Sequence, residues 1–303
     1  MGNGIFNADA YRSFSSSVRD KPRDEVYKSR SIHPDLDPKG VKVRESRDGP
    51  DNPRSTPIVV GLDVTGSMGI LAEQIAKEGL GTLFQGILDR KPVTDPHLMF
   101  MGIGDAACDI SPLQVSQFEA DNRIVTQLTN LWLEGRGGGN DHESYDFPWY
   151  FAARHTSHDA MIKRGKRGYL FTVGDEETPE VLTRDQLRRF LGTEVQADVP
   201  ARQSLEEARR LYDVFHVVIE EGNYARTALP KVEKAWGELL GQHVIHLSDH
   251  RLLSQTVVSA IQVAEGIDRG KASSGWGSAA EKIVGRAVAS LPTGIRPPRR
   301  LGG

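Results

Sequence analysis

Short apolar runs alternate along this chain with longer stretches in which apolar residues recur every three or four positions. Pro57-Ile-Val-Val-Gly-Leu62 is the first run, and it predicts a strand over Ile58 to Leu62. After Gly69, the residues Leu71, Ile75, Leu80, Leu83, Phe84, Ile87 and Leu88 keep helical spacing until Pro92 stops them. Leu98 to Gly104 and Gly168 to Gly174 are apolar at every other position and between, as strands buried on both faces are. Leu113 to Phe118, behind Pro112, reads as an edge strand. Val214 to Ile219 and Val244 to Leu247 complete six strands. Helices are predicted from Asp121 to Leu133, Glu143 to His155, Thr183 to Leu191, Ser204 to Tyr212 and Leu229 to Leu240. Strands interleaved with helices predict an α/β fold: a doubly wound, mostly parallel six-stranded sheet with helices on both faces.

Three regions follow from the same pattern. Residues 1–55 hold a serine cluster, prolines and mixed charge without a sustained period, and predict an extended arm in which Val41 and Val43 contact the domain. Residues 56–268 form the α/β domain, and residues 269–303 a basic C-terminal helix and tail. Composition changes this picture little. The chain has 303 residues, 38% of them hydrophobic, enough for one large domain with extensions. A net charge of −3 points away from nucleic acid and membrane surfaces. The single Cys108 excludes an internal disulfide framework and fits a reducing compartment. With no long apolar stretch or export signal, a cytoplasmic protein is expected.

The chemistry gathers at strand ends. Asp63-Val-Thr-Gly-Ser67 puts one carboxylate and two hydroxyls into a turn between the first strand and the first helix. All are hard oxygen donors, suited to Mg²⁺ or Mn²⁺. Asp105 and Asp175 stand at the carboxyl ends of two further strands. In doubly wound sheets that edge carries the ligand crevice. Three acids sharing a crevice repel one another unless a cation lies between them.

Asp63-x-Thr65-x-Ser67 on a strand-to-helix turn resembles the metal-ion-dependent adhesion site of von Willebrand factor type A domains, and the strand–helix order over roughly residues 56–250 resembles theirs. The resemblance implies that Asp63, Thr65, Ser67, a second-loop residue and Asp175 gather around Mg²⁺. The family's second loop commonly supplies a threonine; this chain reads Gly137-Gly-Gly-Asn140-Asp-His-Glu143-Ser144. Glu143 is the choice there, with Asn140, Asp141 and Ser144 as alternates and Asp105 acting through water. It also implies a bacterial-type binding module without enzymatic activity, a protein partner whose own Glu or Asp completes the metal sphere, and an association with AAA-type ATPases.

The sequence admits other readings. Asp63-Val-Thr-Gly-Ser also resembles the phosphorylation loop of haloacid-dehalogenase-type phosphotransferases, with Asp63 as nucleophile and Lys163 or Lys166 neutralising the phosphate. A purely structural account has Thr65 and Ser67 capping the first helix. His155 with His158, and His243 with His246 near Asp249 and His250, have zinc-like spacings but read better as surface or helix-end histidines. Cys108 reads as a small buried thiol. From Arg269 onward seven Lys or Arg face Glu281 alone, while Ile283, Val284, Ala287, Val288 and Leu291 form a helical apolar stripe. That stripe packs on the domain or docks an acidic partner. Gly302-Gly303 resembles a diglycine conjugation tail without a ubiquitin-like domain before it.

Overall fold

A computed structural model describes residues 4–135 and 140–294, with all their side chains except those of Ser67 and Ala76. Six strands form the main sheet: β1 (Thr56–Asp63), β2 (Pro96–Ile103), β3 (Leu113–Val115), β4 (Gly168–Gly174), β5 (Tyr212–Ile219) and β6 (Val244–Leu247). Their order is β6-β5-β4-β1-β2-β3, with β3 antiparallel at one edge and the other pairings parallel. This is the expected doubly wound α/β sheet. Its strand order reverses between β1 and β4, so the ligand crevice of such a fold lies at the carboxyl ends of these two strands.

The two faces of each parallel strand feed separate cores. On β1, Ile58, Val60 and Leu62 enter one apolar cluster while Val59 enters the other. The period of two in a strand accounts for this division, and burial on both faces for the unbroken apolar run. The first cluster is covered by the helical run over residues 69–90 and by Leu253–Ala264. The second is covered by Asp146–Arg154, Ala201–Ala208 and Ala225–Leu240.

Several boundaries differ from the sequence expectation. The helix expected from Glu143 begins only at Asp146, which leaves Glu143 and Ser144 in the preceding loop. Pro148 then falls in the helix's first turn, where its missing N–H costs nothing. The helix expected over Ser204–Tyr212 is Ala201–Ala208, and Tyr212 opens β5. The helix after Asp121 is confined to Arg123–Thr129. The helix expected from Leu229 begins at Ala225 and kinks at Ala228 (φ −124°, ψ 18°), two residues ahead of Pro230.

The arm is not devoid of structure. Ala8–Val18 is a helix that buries Tyr11, Ser15 and Val18. Arg44–Ser46 pairs in parallel with Thr156–His158. The Tyr27 hydroxyl donates to the carbonyl of Ala72 at 2.5 Å, and Leu36 is fully buried in the first cluster. Val41 packs on the second cluster, whereas Val43 is exposed. At the other end, Ala287, Val288 and Leu291 are buried in the first cluster with Ile283 against it, and Val284 is fully buried. The apolar stripe of the C-terminal helix Ser278–Ala287 is therefore spent on the domain and is not available for docking a partner. Arg296, Arg299, Arg300, Gly302 and Gly303 lie outside the described residues. Among the described residues, no helix is long and apolar enough to cross a membrane.

Because Leu36 is buried by the domain, the arm belongs to its folding unit. Leu36→Ala is expected to lower stability in urea denaturation by about 2–5 kcal/mol, the usual cost of a cavity at a buried leucine. A cost below about 0.5 kcal/mol, the level of an ordinary surface substitution, would show the arm to be dispensable.

Candidate metal centre

Register determines which side chains meet. β1 and β4 pair in parallel up to Leu62 opposite Val173, so Asp63 ends β1 at the level of Gly174, and Asp175 follows at once. Asp105 lies two residues beyond β2, whose Ile103 pairs with Asp63. The loop carrying Glu143 is fastened to both neighbours. The N–H of Glu143 donates to the Glu177 carbonyl at 3.0 Å, and that of Ser144 to the Gly104 carbonyl at 3.1 Å. The hydroxyl of Ser144 accepts from the N–H of Ala106 at 2.9 Å. Four loops thus converge on one edge of the sheet.

Asp63 is fully buried. Its Oδ1 accepts from the Thr65 N–H at 2.9 Å and from the Thr65 hydroxyl at 2.6 Å, and its Oδ2 from the Tyr145 hydroxyl at 2.8 Å. Thr65 makes no side-chain cap to the turn Gly66–Met68 that follows it. The capping account of Thr65 is therefore wrong: its proton is given to Asp63, which leaves its lone pairs for a cation. Ser67 sits in that same turn.

Asp175 turns toward the N-terminus of Ala225–Leu240, where its Oδ2 accepts from the N–H groups of Tyr224 at 2.8 Å and Ala225 at 3.4 Å. Such amides favour a carboxylate. Two glycines make room for this. A Cβ on Gly222 would stand 2.3 Å from Asp175 Oδ2, and one on Gly174 only 1.8 Å from the Tyr145 hydroxyl oxygen.

The alternates separate clearly. Asn140 donates from Nδ2 to Asp105 Oδ2 at 2.6 Å, while its own Oδ1 is buried without a partner. Asp105 also accepts from the Ala107 N–H. Asp141 is exposed and paired with Lys231 at 2.8 Å. Ser144 is used by Ala106, as above. Cys108 is exposed rather than buried; its thiol donates toward Asp105 and is pushed up to about 12 by desolvation first and by Asp105 next. It is not a reactive thiolate.

Burial raises Asp63 and Glu143 well above the usual carboxylate range. The charge of Asp175 adds to the shift of Asp63, and those of Asp63, Glu176 and Asp105 to that of Glu143. Glu176 is pushed up to about 7 by desolvation and then by Asp63, Asp175 and Asp105. Among the described residues, no lysine or arginine pairs with any of these five acids. Glu143 Oε2 and Glu176 Oε2 are buried without hydrogen-bond partners. Hard oxygen donors, orphaned carboxylate oxygens and missing countercharge all fit a Mg²⁺ ion.

The fit has one limit. Oxygens bound directly to one Mg²⁺ at about 2.0–2.1 Å lie within roughly 4.2 Å of each other. Among the described residues, the one set of three His, Cys, Asp or Glu ligand atoms within 4.8 Å of one another is Glu221, Asp249 and His250, not Asp63, Glu143 and Asp175. At least one of the latter three would therefore reach a shared ion through water.

Tyr145 is the functional residue that sequence reasoning missed. Its ring meets His216 edge-on at 5.0 Å and Trp236 at 5.5 Å, while His216 stacks on Trp236 at 3.5 Å. The indole of Trp236 donates to the Glu176 carbonyl at 2.9 Å. Only its place, two residues after Glu143, hinted at a role.

The lysines of the phosphotransferase reading lie at the wrong end of the sheet. Lys163 pairs with Asp48 and Asp159, and Lys166 with Glu265, just before β4 begins. A seven-residue strand separates them from Asp175, about 20 Å at 3.3 Å per residue. His155 and His158 are likewise structural: His155 bonds the Val41 carbonyl, and His158 caps Asp159–Arg164.

No family model and no curated protein matches this chain. Among solved structures, the pilus adhesin SpaC of Lactobacillus rhamnosus GG in its open conformation aligns over 74% of this chain and 31% of its own, at 10% identity and a TM-score of 0.44. Proximal thread matrix protein 1 of the mussel byssus aligns over 73% and 48%, at 10% identity and 0.42. A von Willebrand factor type A protein from Catenulispora acidiphila aligns over 71% and 43%, at 16% identity and 0.40. The aligned region spans less than half the length of each of these chains. At these scores the likenesses carry no argument about site or activity. The sheet order and its antiparallel edge themselves fit a von Willebrand factor A-like α/β fold.

Two substitutions test the electrostatics of the metal-free protein. Tyr145→Phe strands Asp63 Oδ2 without a donor, and is expected to cost about 1–3 kcal/mol in urea denaturation. Glu143→Gln removes an acid that is protonated more readily folded than unfolded. Such a group binds more protons in the native state, so its contribution falls as pH rises above the unfolded carboxylate range. The stability of Glu143→Gln relative to wild type should therefore increase from pH 5 to pH 8 in chelator. A difference that stays flat would show that Glu143 is not held protonated by its neighbours.

Proposed function

We propose that this protein is a metal-dependent binding module in which Asp63, Thr65, Ser67, Glu143 and Asp175 hold Mg²⁺, directly or through water, and a partner's carboxylate completes the coordination sphere. The observation that carries the reading is the cluster of buried acids at the switch point, with no basic side chain among the described residues to neutralise it. Mg²⁺ would supply that countercharge and a Lewis-acidic position for an incoming oxygen. The chain's own residues do the positioning. Thr65 and Tyr145 orient Asp63, the Tyr224 and Ala225 amides hold Asp175, and the Glu177 and Gly104 carbonyls fix the Glu143 loop. A carboxylate contact of this kind is charge-assisted, directional and responsive to metal supply. The expected partner is a protein presenting an exposed Glu or Asp, and an AAA-type ATPase assembly fits the resemblance of the Asp63 turn.

Mg²⁺ at 100 times its Kd should stabilise the folded chain by about 2.7 kcal/mol, read as a rise in thermal midpoint over a chelator control. Asp63→Ala should abolish that rise and also Mg²⁺-dependent capture of the partner in a pull-down. Equal stability and equal capture in chelator and in Mg²⁺ would refute the reading.

A further inference from the structure

A second constellation lies along the same edge of the sheet. β5 and β6 pair in parallel with Ile219 opposite Leu247. Glu221 and Asp249 each lie two residues beyond that pair, in the loops that leave two strands about 4.8 Å apart. His250 follows Asp249 into a short 3₁₀ turn. That placement draws one imidazole nitrogen and one oxygen from each carboxylate within 4.8 Å of one another. The three side chains are partly exposed, so an ion can enter.

We propose that Glu221, Asp249 and His250 form a second, independent metal site, selective for a borderline divalent ion of the zinc class over Mg²⁺. The donor set decides the class: an imidazole nitrogen with two carboxylates suits Zn²⁺, Co²⁺ or Fe²⁺, whereas Mg²⁺ prefers oxygen alone. Without metal, the His250 ring and its backbone N–H both address Glu221 Oε1, the latter at 3.0 Å. Metal would take the place of the proton in that contact, with the ring keeping its N–H on the other nitrogen as a neutral imidazole ligand does. Asp249 is already oriented. Its Oδ1 accepts from the Arg251 N–H at 3.0 Å and from Arg251 Nε at 2.8 Å, and its Oδ2 from Nη2 at 2.7 Å. Oδ2 thus carries one donor and keeps a lone pair for a cation. Arg251 would act as the outer partner that fixes a ligating carboxylate, a role whose loss typically weakens metal binding about 10–100-fold.

The site stands two and three strands from β1, so it can be tested apart from the Asp63 cluster. The full chain, stripped with chelator, is titrated with Co²⁺ as a spectroscopic probe. Visible d–d bands are expected, displaced by Zn²⁺ but not by an equal concentration of Mg²⁺. They should vanish in His250→Ala and in Glu221→Gln, weaken about tenfold in apparent affinity in Arg251→Ala, and persist in Asp63→Ala. Circular dichroism checks folding, and Glu221→Gln carries the test should His250→Ala misfold. Absence of the bands in the wild type, their survival in both ligand variants, or their loss in Asp63→Ala would overturn the assignment. Failure of the Mg²⁺ reading at Asp63 leaves every one of these outcomes unchanged.

Discussion

The buried carboxylate of Asp63 is the constraint around which this molecule is arranged. A charge with no solvent and no basic partner is costly, and here it is offset by three hydrogen-bond donors, two from Thr65 and one from Tyr145. Those donors come from two segments distant in sequence, so holding Asp63 also fixes the first helix entry against the loop after Asn140. The other acids compound the strain rather than relieve it. Desolvation and mutual repulsion move Asp63, Glu143 and Glu176 in the same direction, toward protonation. A crevice so built needs protons or a divalent cation to offset its charge, and under the proposed function one would exchange for the other.

Much of this was legible in the chain. Unbroken apolar runs ending in Asp located β1, β2 and β4, because a strand buried on both faces shows no alternation to misread. The doubly wound order then places strand-end acids on a common edge without reference to any relative. What was illegible depended on contacts between segments. The arm helix buries Tyr11, Ser15 and Val18 at helical spacing. Serine in the middle of that stripe hides the apolar period, and only the Lys77 carbonyl, which accepts from the Ser15 hydroxyl, makes the position tolerable. Composition predicts a helix opening at Glu143, yet backbone hydrogen bonds from Glu143 and Ser144 to neighbouring loops hold it outside.

Asp141 and Asn140 illustrate the same limit at the site itself. Side by side in sequence and similar in chemistry, they were equal candidates. One is claimed by Lys231, on the Ala225–Leu240 helix, and the other by Asp105, beyond β2. Neither claim leaves a local signature. Tyr145 was passed over for a related reason: a tyrosine before a helix is ordinary until Gly174 on β4 leaves space for its hydroxyl.

That space links the crevice to the packing below it. Tyr145 rests on the stacked rings of His216 and Trp236, and His216 is held by Thr172 on β4 at 2.8 Å. Burial keeps the His216 imidazole neutral, with the nearby His246 acting in the same direction. The aromatic wall therefore adds no positive charge beneath the acids. Trp236 in turn fastens the Glu176 carbonyl, so two of the cluster's acidic loops are braced by one aromatic unit. A cation drawing Asp63 or Glu176 inward would work against this brace, which gives the crevice few alternative geometries. Preorganisation of that kind would favour an incoming ligand over a rearrangement of the acids themselves.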